Sequence, residues 1–249
     1  MKTILYLSAL ICAFTVQAVQ SQEITNVDDF TKVIISPHIE SKFVKGAENS
    51  VEILSNTESK DKVNIQVKGK TLRVYLDDAK ETTKTKTVMK NGMKMKVPIY
   101  KERVLSVLIT YVDLNELSLR GEQNTLCESP ITTDKFNLKI YGASKVVLNE
   151  VDFDEIDVDI YGESDLTILD GKIDYQKITV YGESKINLLN VENIESKLKA
   201  FGEAEFDVNV SEAIKFTSYG EAVLRYKGNA QVNTGLSLGD SEIINIDFP

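Results

Sequence analysis

The sequence has 249 residues, a formal net charge of -9 and 42% hydrophobic residues. This acidic balance argues against a general nucleic-acid binder, because phosphate backbones attract basic surfaces. At the N-terminus, Lys2 precedes an apolar run from Ile4 to Val16 and then small or polar residues, which is typical of a secretory signal. We therefore expect residues 1–21 to be a signal peptide. Residues 22–249 are expected to form one exported domain, in the periplasm, at the cell surface or outside the cell.

The remaining chain has few means of covalent or membrane anchoring. No further apolar stretch is long enough to cross a bilayer, so no stable membrane span is expected. Cys127 is the only cysteine after residue 21, which excludes an intrachain disulfide. Stability must therefore come from burial and from backbone hydrogen bonds.

Residues 22–110 contain strand-like segments without a common period. Residues 33–35, 50–54, 63–67, 71–76 and 104–109 have the apolar and β-branched character of strands. Lys68-Gly69-Lys70 is predicted to join two of them as a tight hairpin. Because terminal units of a repeat array are irregular where they cover an apolar end, we expect wider opening coils or a capping sheet here.

A basic insertion interrupts this half between Lys80 and Arg103. It carries eight basic residues against two acidic ones, a net charge of +6 in an acidic chain. Asn91-Gly92 is predicted to be the two-residue turn of a hairpin within it. One interpretation is a solvated hairpin, and the other is a patch for an acidic polysaccharide, a lipid head group or a protein partner.

Residues 111–249 contain a repeated corner, most often Tyr-Gly-Glu-Ser. Its copies are Arg120-Gly121-Glu122-Gln123, Tyr141-Gly142-Ala143-Ser144, Tyr161-Gly162-Glu163-Ser164, Tyr181-Gly182-Glu183-Ser184, Phe201-Gly202-Glu203-Ala204, Tyr219-Gly220-Glu221-Ala222 and Leu238-Gly239-Asp240-Ser241. Their glycines lie 21, 20, 20, 20, 18 and 19 residues apart. Such a period indicates a solenoid.

The fold predicted from this period is an all-β, parallel, right-handed β-helix. Apolar and polar residues alternate around each glycine, as in Ile156, Val158 and Ile160 before Gly162, so one face of each strand is buried. Each coil of roughly 20 residues is expected to hold two or three short strands broken at the glycine. Cys127 falls on an inward position and is expected to be a buried, unreactive thiol.

Two outward rows are the candidate binding site. The residue before each glycine points away from the core, which predicts an aromatic row of Tyr141, Tyr161, Tyr181, Phe201 and Tyr219. The rings are expected either to stack on one another or to offer a flat platform to sugar rings or a protein. An acidic row of Glu163, Glu183, Glu203 and Glu221, continued by Glu122 and Asp240, runs beside them.

The acidic row needs something to offset the repulsion between its carboxylates. Lys145 and Lys185 are nearby candidates, and a divalent cation between coils is a further one. The sequence has no Asp-x-Asp-x-Asp-Gly loop, so we expect no metal and no cofactor.

The sequence contains few side chains suited to catalysis. A polysaccharide lyase needs a basic side chain beside carboxylates, but His38 is the only histidine and lies in the irregular half. The arginines are far apart in coil order, and no nucleophile elbow, phosphate loop or metal-ligand cluster occurs. We therefore predict no enzyme and no catalytic residues.

Several segments in order resemble one bacterial family. They are Phe30-Thr31-Lys32-Val33, residues 44–53, residues 67–74 and then the glycine corners. Together they resemble the family described as putative auto-transporter adhesin, head GIN domain, common in Bacteroidetes-like bacteria. The resemblance implies an exported β-helical protein with an adhesive role and no catalytic residues. The insertion at 80–103 departs from the compact family pattern.

Three functions remain open from the sequence. The first is a non-enzymatic adhesin or binding module that uses the aromatic and acidic rows to hold a glycan or a surface protein. The second is a structural, envelope-associated module that engages an envelope protein, for which the basic insertion is a candidate contact. The third is a carbohydrate-active enzyme of polysaccharide lyase type. The sequence does not indicate the oligomeric state.

Overall fold

The structure is a computed structural model that describes residues 23–247, so the predicted signal peptide lies outside the described residues. Apart from one short 3-10 turn at Lys60–Lys62, its regular elements are strands. The N-terminal strands are β1 (Glu23–Asn26), β2 (Lys32–Ile35), β3 (Ile39–Lys45), β4 (Ser50–Asn56), β5 (Val63–Lys68), β6 (Thr71–Leu76), β7 (Thr85–Lys90), β8 (Met93–Pro98) and β9 (Leu105–Tyr111). The later strands are β10 (Glu116–Gly121), β11 (Thr125–Cys127), β12 (Ile131–Gly142), β13 (Lys145–Leu148), β14 (Val151–Ile168), β15 (Gly171–Tyr219), β16 (Ala222–Lys227), β17 (Gln231–Leu238) and β18 (Ser241–Asn245).

Parallel pairing between successive coils builds the repeats into a β-solenoid of about six turns. Leu138 pairs with Val158, and Val158 pairs in turn with Ile178. Equivalent residues of successive coils therefore stand above one another at the strand spacing of about 4.8 Å. This confirms the predicted fold class.

Alternate apolar residues fill the interior of the coils. Ile156, Val158 and Ile160 are fully buried, whereas the residues between them face outward. Cys127 is fully buried between its ladder partners Phe43 and Leu148. Burial raises the pKa of the Cys127 thiol far above its usual value, so the thiol stays protonated. The prediction of a buried cysteine is confirmed.

One inward ladder contains polar residues that the apolar pattern did not predict. Gln176 pairs in register with Ile156 and is 1% exposed. Its Nε2 donates to the Ser196 hydroxyl at 2.6 Å, and Ser196 Oγ donates to Asn193 Oδ1 at 2.5 Å. Asn193 Nδ2 donates to the Ile173 carbonyl of the previous coil at 2.7 Å. The buried polar groups thus bond one another across two coils.

Strands continue through the corner glycines of three central coils, which corrects the break expected there, whereas at Gly121, Gly142, Gly220 and Gly239 a strand ends at or next to the glycine as expected. β14 and β15 run through their corners, and Gly162 pairs in register with Gly142 and with Gly182. Gly162 has a φ of 124°, and a Cβ there would lie 2.2 Å from the Gly142 carbonyl oxygen. The positive φ turns the chain while the glycine's backbone groups remain in the ladder.

The N-terminal half forms two further coils and a cap, in an order different from the chain order. β2 lies between β10 and β6, and β3 lies between β11 and β9, all in parallel pairs. Beyond this outermost coil, β5 pairs antiparallel with β6, and β4 pairs antiparallel with β9. β1 extends the cap on β4. The irregular capping strands predicted for this end are confirmed, including the hairpin turn at Lys68-Gly69-Lys70.

The basic insertion occupies the corner of the outermost coil. In that coil, residues 77–104 connect β6 to β9. In the next coil, the equivalent strands β2 and β3 are joined only by the short corner at Pro37-His38. β7 and β8 form a separate two-stranded antiparallel sheet within the insertion. Asn91 and Gly92, with φ of 52° and 77°, form its two-residue turn as predicted.

Candidate functional site

The five predicted aromatic residues form one continuous stack. Successive ring centroids are 5.2, 4.8, 4.9 and 5.0 Å apart from Tyr141 to Tyr219, and the interplanar angles are 2° to 6°. In-register pairing of Tyr141, Tyr161 and Tyr181 brings the rings together. We call the stack of Tyr141, Tyr161, Tyr181, Phe201 and Tyr219 the aromatic comb.

The comb offers ring edges rather than ring faces to solvent. At these separations the faces of neighbouring rings contact each other. Tyr161 and Tyr181 nevertheless remain 40% exposed, because their edges and hydroxyl groups project outward. A flat platform for sugar rings requires free faces, so the interpretation of self-stacking rings describes this geometry better. Any ligand along the comb meets a row of edges and hydroxyl groups.

Arg120 continues the comb by one coil, a role that was not predicted from the sequence. Its guanidinium carbon lies 5.1 Å from the centroid of Tyr141, which places a cation over the ring face. Arg120 also forms an ion pair with Glu81 of the insertion, and Arg73 contacts the other oxygen of the same carboxylate. The signal was present, because Arg120 stands where later corners have an aromatic residue.

These contacts tie the comb to the base of the insertion. The hydrogen bond from Arg73 is the main cause of a pKa of the Glu81 carboxyl below its usual value, and the charge of Arg120 adds to it. Glu81 therefore remains ionised between the two guanidinium groups at neutral pH.

The acidic row lies beside the comb and is exposed. Glu163 and Glu183 pair in register, and Glu203 and Glu221 follow at the equivalent corners. None of these four carboxylates has an ion pair within the described part of the chain. Lys185, which we expected to offset their charge, contacts Glu205 at 3.2 Å instead. The side chains of the row extend into water, where solvent screens the repulsion between them.

No group of three or more His, Cys, Asp or Glu side chains within residues 23–247 is arranged to hold a metal ion. The exposed carboxylates at the corners form a row of hydrogen-bond acceptors.

Serine hydroxyls support the corners from inside, a role that the sequence analysis did not assign. Ser144 Oγ donates to the Gly121 carbonyl at 2.9 Å, and Ser164 Oγ donates to the Gly142 carbonyl at 3.1 Å. Both serines are almost fully buried. The corners after Ser144 have Ser or Ala at this position, including Ala204 and Ala222, so a small residue is common to them, whereas the first corner has Gln123.

The outward residues that precede the comb residues on the same strands carry charges, and some of these charges pair between coils. Lys177 Nζ lies 2.7 Å from Asp157 Oδ2 of the preceding coil, and this bond is the main cause of the raised pKa of Lys177. Asp159 has a raised pKa, first because it is partly buried and then because Asp157 is negative. The pKa of the Tyr161 hydroxyl is also raised, mainly by desolvation and then by Asp159. Tyr161 therefore keeps its proton at neutral pH and can donate a hydrogen bond.

The histidine and the arginines, which are candidate bases for a lyase, are already engaged. His38 Nδ1 is bonded to the Glu102 carbonyl at 2.8 Å, and its Nε2 to Thr83 Oγ1 at 2.6 Å. Arg103 lies 2.5 Å from Glu40. Arg225 lies 2.8 Å from Glu205 and 2.6 Å from Asp207. Together with the pairing of Arg73 and Arg120, these contacts leave the side chains of all four arginines in ion pairs.

Two grooves border the candidate site. One of about 600 Å³ lies where the comb meets the insertion, and its lining includes Tyr100, Arg120 and Tyr141. The other, of about 630 Å³, lies beside the acidic row at the opposite end and includes Glu203 and Asp240. The comb runs between these two grooves.

The family model described as putative auto-transporter adhesin, head GIN domain, matches residues 29–230. The chain belongs to this family. The match includes the capped coils, the insertion and the comb from Tyr141 to Tyr219. The description of the family as putative auto-transporter adhesin indicates an exported or surface protein. No helix within residues 23–247 has the length and hydropathy needed to cross a membrane.

Solved structures share the fold of this head GIN chain. A putative adhesin from Bacteroides fragilis has 19% identity and a TM-score of 0.75, over 90% of this chain and 96% of that chain. A putative adhesin from Parabacteroides merdae has 18% identity and a TM-score of 0.64 over the same shares. A putative lipid binding protein from Parabacteroides distasonis has 14% identity and a TM-score of 0.63, again over 90% and 96%. The chain matches no curated protein.

Proposed function

We propose that this head GIN protein is a non-enzymatic binding module that holds a neutral glycan along the aromatic comb. The observation that carries the proposal is the in-register stack itself, with exposed edges and hydroxyl groups at a spacing of about 5 Å. A ligand with a repeating structure can make the same contact on several coils. Each contact is weak, and their combination along one chain gives avidity.

The chemistry of the row favours sugar hydroxyl groups. Tyr161 and Tyr181 present hydroxyls that both donate and accept, and the neighbouring Glu163 and Glu183 present carboxylates that accept. A neutral polysaccharide supplies matching donors and acceptors. A polyuronate is disfavoured here, because the unpaired acidic row would repel its carboxylates.

A non-enzymatic role is supported by the contacts that engage the histidine and the arginines. His38 uses both ring nitrogens within the fold, and the arginines are held by carboxylates. The family description and the similar structures name adhesins and a lipid binding protein, and none of them names an enzyme. These points weigh against the lyase hypothesis.

The test is a glycan array with variants that separate hydroxyl groups from stacking. Tyr161→Phe with Tyr181→Phe keeps the rings and removes two hydroxyls, whereas the corresponding double alanine variant removes both. We expect at least a ten-fold loss of glycan binding in the double phenylalanine variant and a larger loss in the alanine variant. Tyr175→Phe is the matched control, because Tyr175 faces outward on another ladder and should bind as the wild type does.

Three results would contradict the proposal. Glycan binding that is unchanged in both comb variants would exclude the comb as the site. Capture of an envelope protein that depends on Tyr161 and Tyr181, with no glycan bound on the array, would favour a protein ligand instead. Release of unsaturated sugar ends from a polyuronate would show a lyase.

A further inference from the structure

The hairpin of β7 and β8 has an unusual charge for this acidic chain. The segment Thr85–Pro98 contains Lys86, Lys90, Lys94 and Lys96 and no acidic residue. None of these four lysines has an ion pair within the described residues, in contrast to Lys84 at the base, which lies 2.9 Å from Asp78. The hairpin therefore carries a compact positive charge that no ion pair within residues 23–247 compensates.

The same hairpin exposes unbranched apolar side chains. Met89, Met93 and Met95 are 65%, 66% and 44% exposed. In the ladder Val88 pairs with Met95 and Lys90 pairs with Met93, so apolar and basic side chains share one face. Met89 and Lys94 share the other face, next to the turn. Neither strand has a buried residue, so the hairpin packs no core of its own.

The base of the insertion is fixed to the solenoid, whereas the hairpin is not. Ser36 Oγ donates to the Lys80 carbonyl at 2.7 Å, and both nitrogens of His38 bond residues of the insertion. Ala79 and Tyr100 are buried in the main core. A bond from Ile99 N to Lys84 O, at 2.9 Å, closes the base of the hairpin. From there to the turn, β7 and β8 pair only with each other. An isolated two-stranded hairpin is marginally stable in water, so a surface that receives it would also order it.

We propose that the hairpin Thr85–Pro98 docks this protein on an anionic lipid surface. Lysines attract acidic head groups, while the adjacent methionines enter the boundary between head groups and acyl chains. The long lysine side chains can keep their ammonium groups at head-group level while their stems cover apolar surface.

Lipid fits the segment better than an acidic polysaccharide or a second copy of the chain. An acidic polymer or a carboxylate-rich protein face would satisfy the lysines but would leave three exposed methionines against polar groups. The hairpin also has no aromatic ring that could stack on a sugar. The remaining acidic surface is screened from the membrane beyond a Debye length of about 8 Å at physiological salt. The proposal is independent of the glycan site on the comb.

The test measures co-sedimentation of residues 22–249 with phosphatidylcholine vesicles and with vesicles in which one third of the lipid is phosphatidylglycerol. We expect at least ten-fold stronger partition onto the anionic vesicles, and a fall in partition as sodium chloride is raised. Replacing the four hairpin lysines by Gln should abolish this preference. Replacing Lys45, Lys145, Lys172 and Lys215 by Gln is the matched control, because these exposed lysines make the same change in net charge elsewhere.

A second variant distinguishes lipid from other polyanions. Met89→Ser, Met93→Ser and Met95→Ser should lower vesicle partition at least ten-fold and leave binding to dextran sulfate unchanged. Vesicle binding that survives this change would show a charge-only polyanion site and would overturn the proposal. Equal partition of the wild type onto neutral and anionic vesicles would also overturn it. Self-association that disappears in the hairpin variants, without vesicle binding, would identify a second copy as the partner.

Discussion

The aromatic comb and the basic hairpin present side chains to solvent in opposite ways. In the comb, each residue is held by its equivalents in the coils above and below, as Tyr161 is by Tyr141 and Tyr181. In the hairpin, β7 and β8 hold only each other, and no residue of either strand is buried. The comb is part of the fold, whereas the hairpin is an addition to one corner of it.

This difference separates changes in binding from changes in stability. The residues that build the comb also stabilise the solenoid, so their substitution affects both properties. The lysines and methionines of the hairpin contribute little to the solenoid, so their substitution should affect binding alone. Four predictions test the contrast, in order of decreasing effect on the free energy of unfolding.

Gly162→Ala should have the largest effect. An alanine Cβ would lie 2.2 Å from the Gly142 carbonyl oxygen, at a φ of 124° that disfavours a side chain. We expect a loss of about 3 kcal/mol or more in the free energy of unfolding, measured with urea. Gly92→Ala is the matched control, because its φ is also positive at 77° but no atom lies within 4 Å of the added Cβ. A loss there above about 1 kcal/mol would show that the hairpin belongs to the cooperative core.

Tyr161→Ala should have an intermediate effect. The substitution removes two stacked contacts, with Tyr141 at 5.2 Å and with Tyr181 at 4.8 Å. Each stacked pair contributes about 1 kcal/mol beyond area burial, so we expect a loss of about 2 kcal/mol. Tyr161→Phe keeps the stack and should remain within about 0.5 kcal/mol of the wild type. Equal losses in both variants would mean that the hydroxyl, rather than the ring, supports the fold.

Ser164→Ala should destabilise the corner more modestly. Ser164 Oγ donates to the Gly142 carbonyl at 3.1 Å and accepts from the Ser144 amide at 3.1 Å. Loss of these buried bonds should lower the thermal midpoint, equivalent to about 1 kcal/mol. The exposed Ser55 provides the control substitution, and Ser55→Ala should leave the midpoint unchanged. A neutral Ser164→Ala would show that the position requires small size alone, as Ala204 does in its coil.

Asp159→Asn should have the smallest effect and a distinctive pH dependence. The pKa of Asp159 is raised by burial and by Asp157, so its protonated form is favoured in the folded state. The stabilisation from the protonated form is therefore complete below the unfolded pKa of about 3.9. It is lost as the pH rises through the folded pKa of Asp159. We expect Asp159→Asn to be more stable than the wild type at pH 7, by less than about 1 kcal/mol, with the advantage disappearing in acid.

Asp157→Asn is the counterpart for this measurement. Asp157 is bonded to Lys177 at 2.7 Å and is the main cause of the raised pKa of that lysine. Because the pKa of Lys177 is higher in the folded than in the unfolded protein, the pair stabilises the fold at pH values below the unfolded pKa of Lys177. This stabilisation is lost as the pH rises through the folded pKa. Asp157→Asn should therefore be less stable at pH 7. A gain in stability from both substitutions would show that the pairing between coils contributes nothing.

The repeat made most of the solenoid predictable. A period of about 20 residues with apolar alternation requires equivalent residues to stack in register, so the comb follows from the sequence. The chain order of the N-terminal coils did not follow, because β2 and β3 pair with segments far from them in sequence. Nor did the bond of Gln176 to Ser196, because isolated polar residues at apolar positions of successive coils have no local signature.

The sequence by itself determined the strand pattern, the glycine corners, the two hairpin turns and the positions of the aromatic and acidic rows. These features depend on local geometry and on one repeated spacing. Only the tertiary structure decided that the rings cover each other's faces, that Arg120 ends the comb beneath Glu81, and that the basic hairpin stands in a corner of the outermost coil. Those contacts join residues from different coils, and their distances depend on how the coils stack and where the chain leaves them.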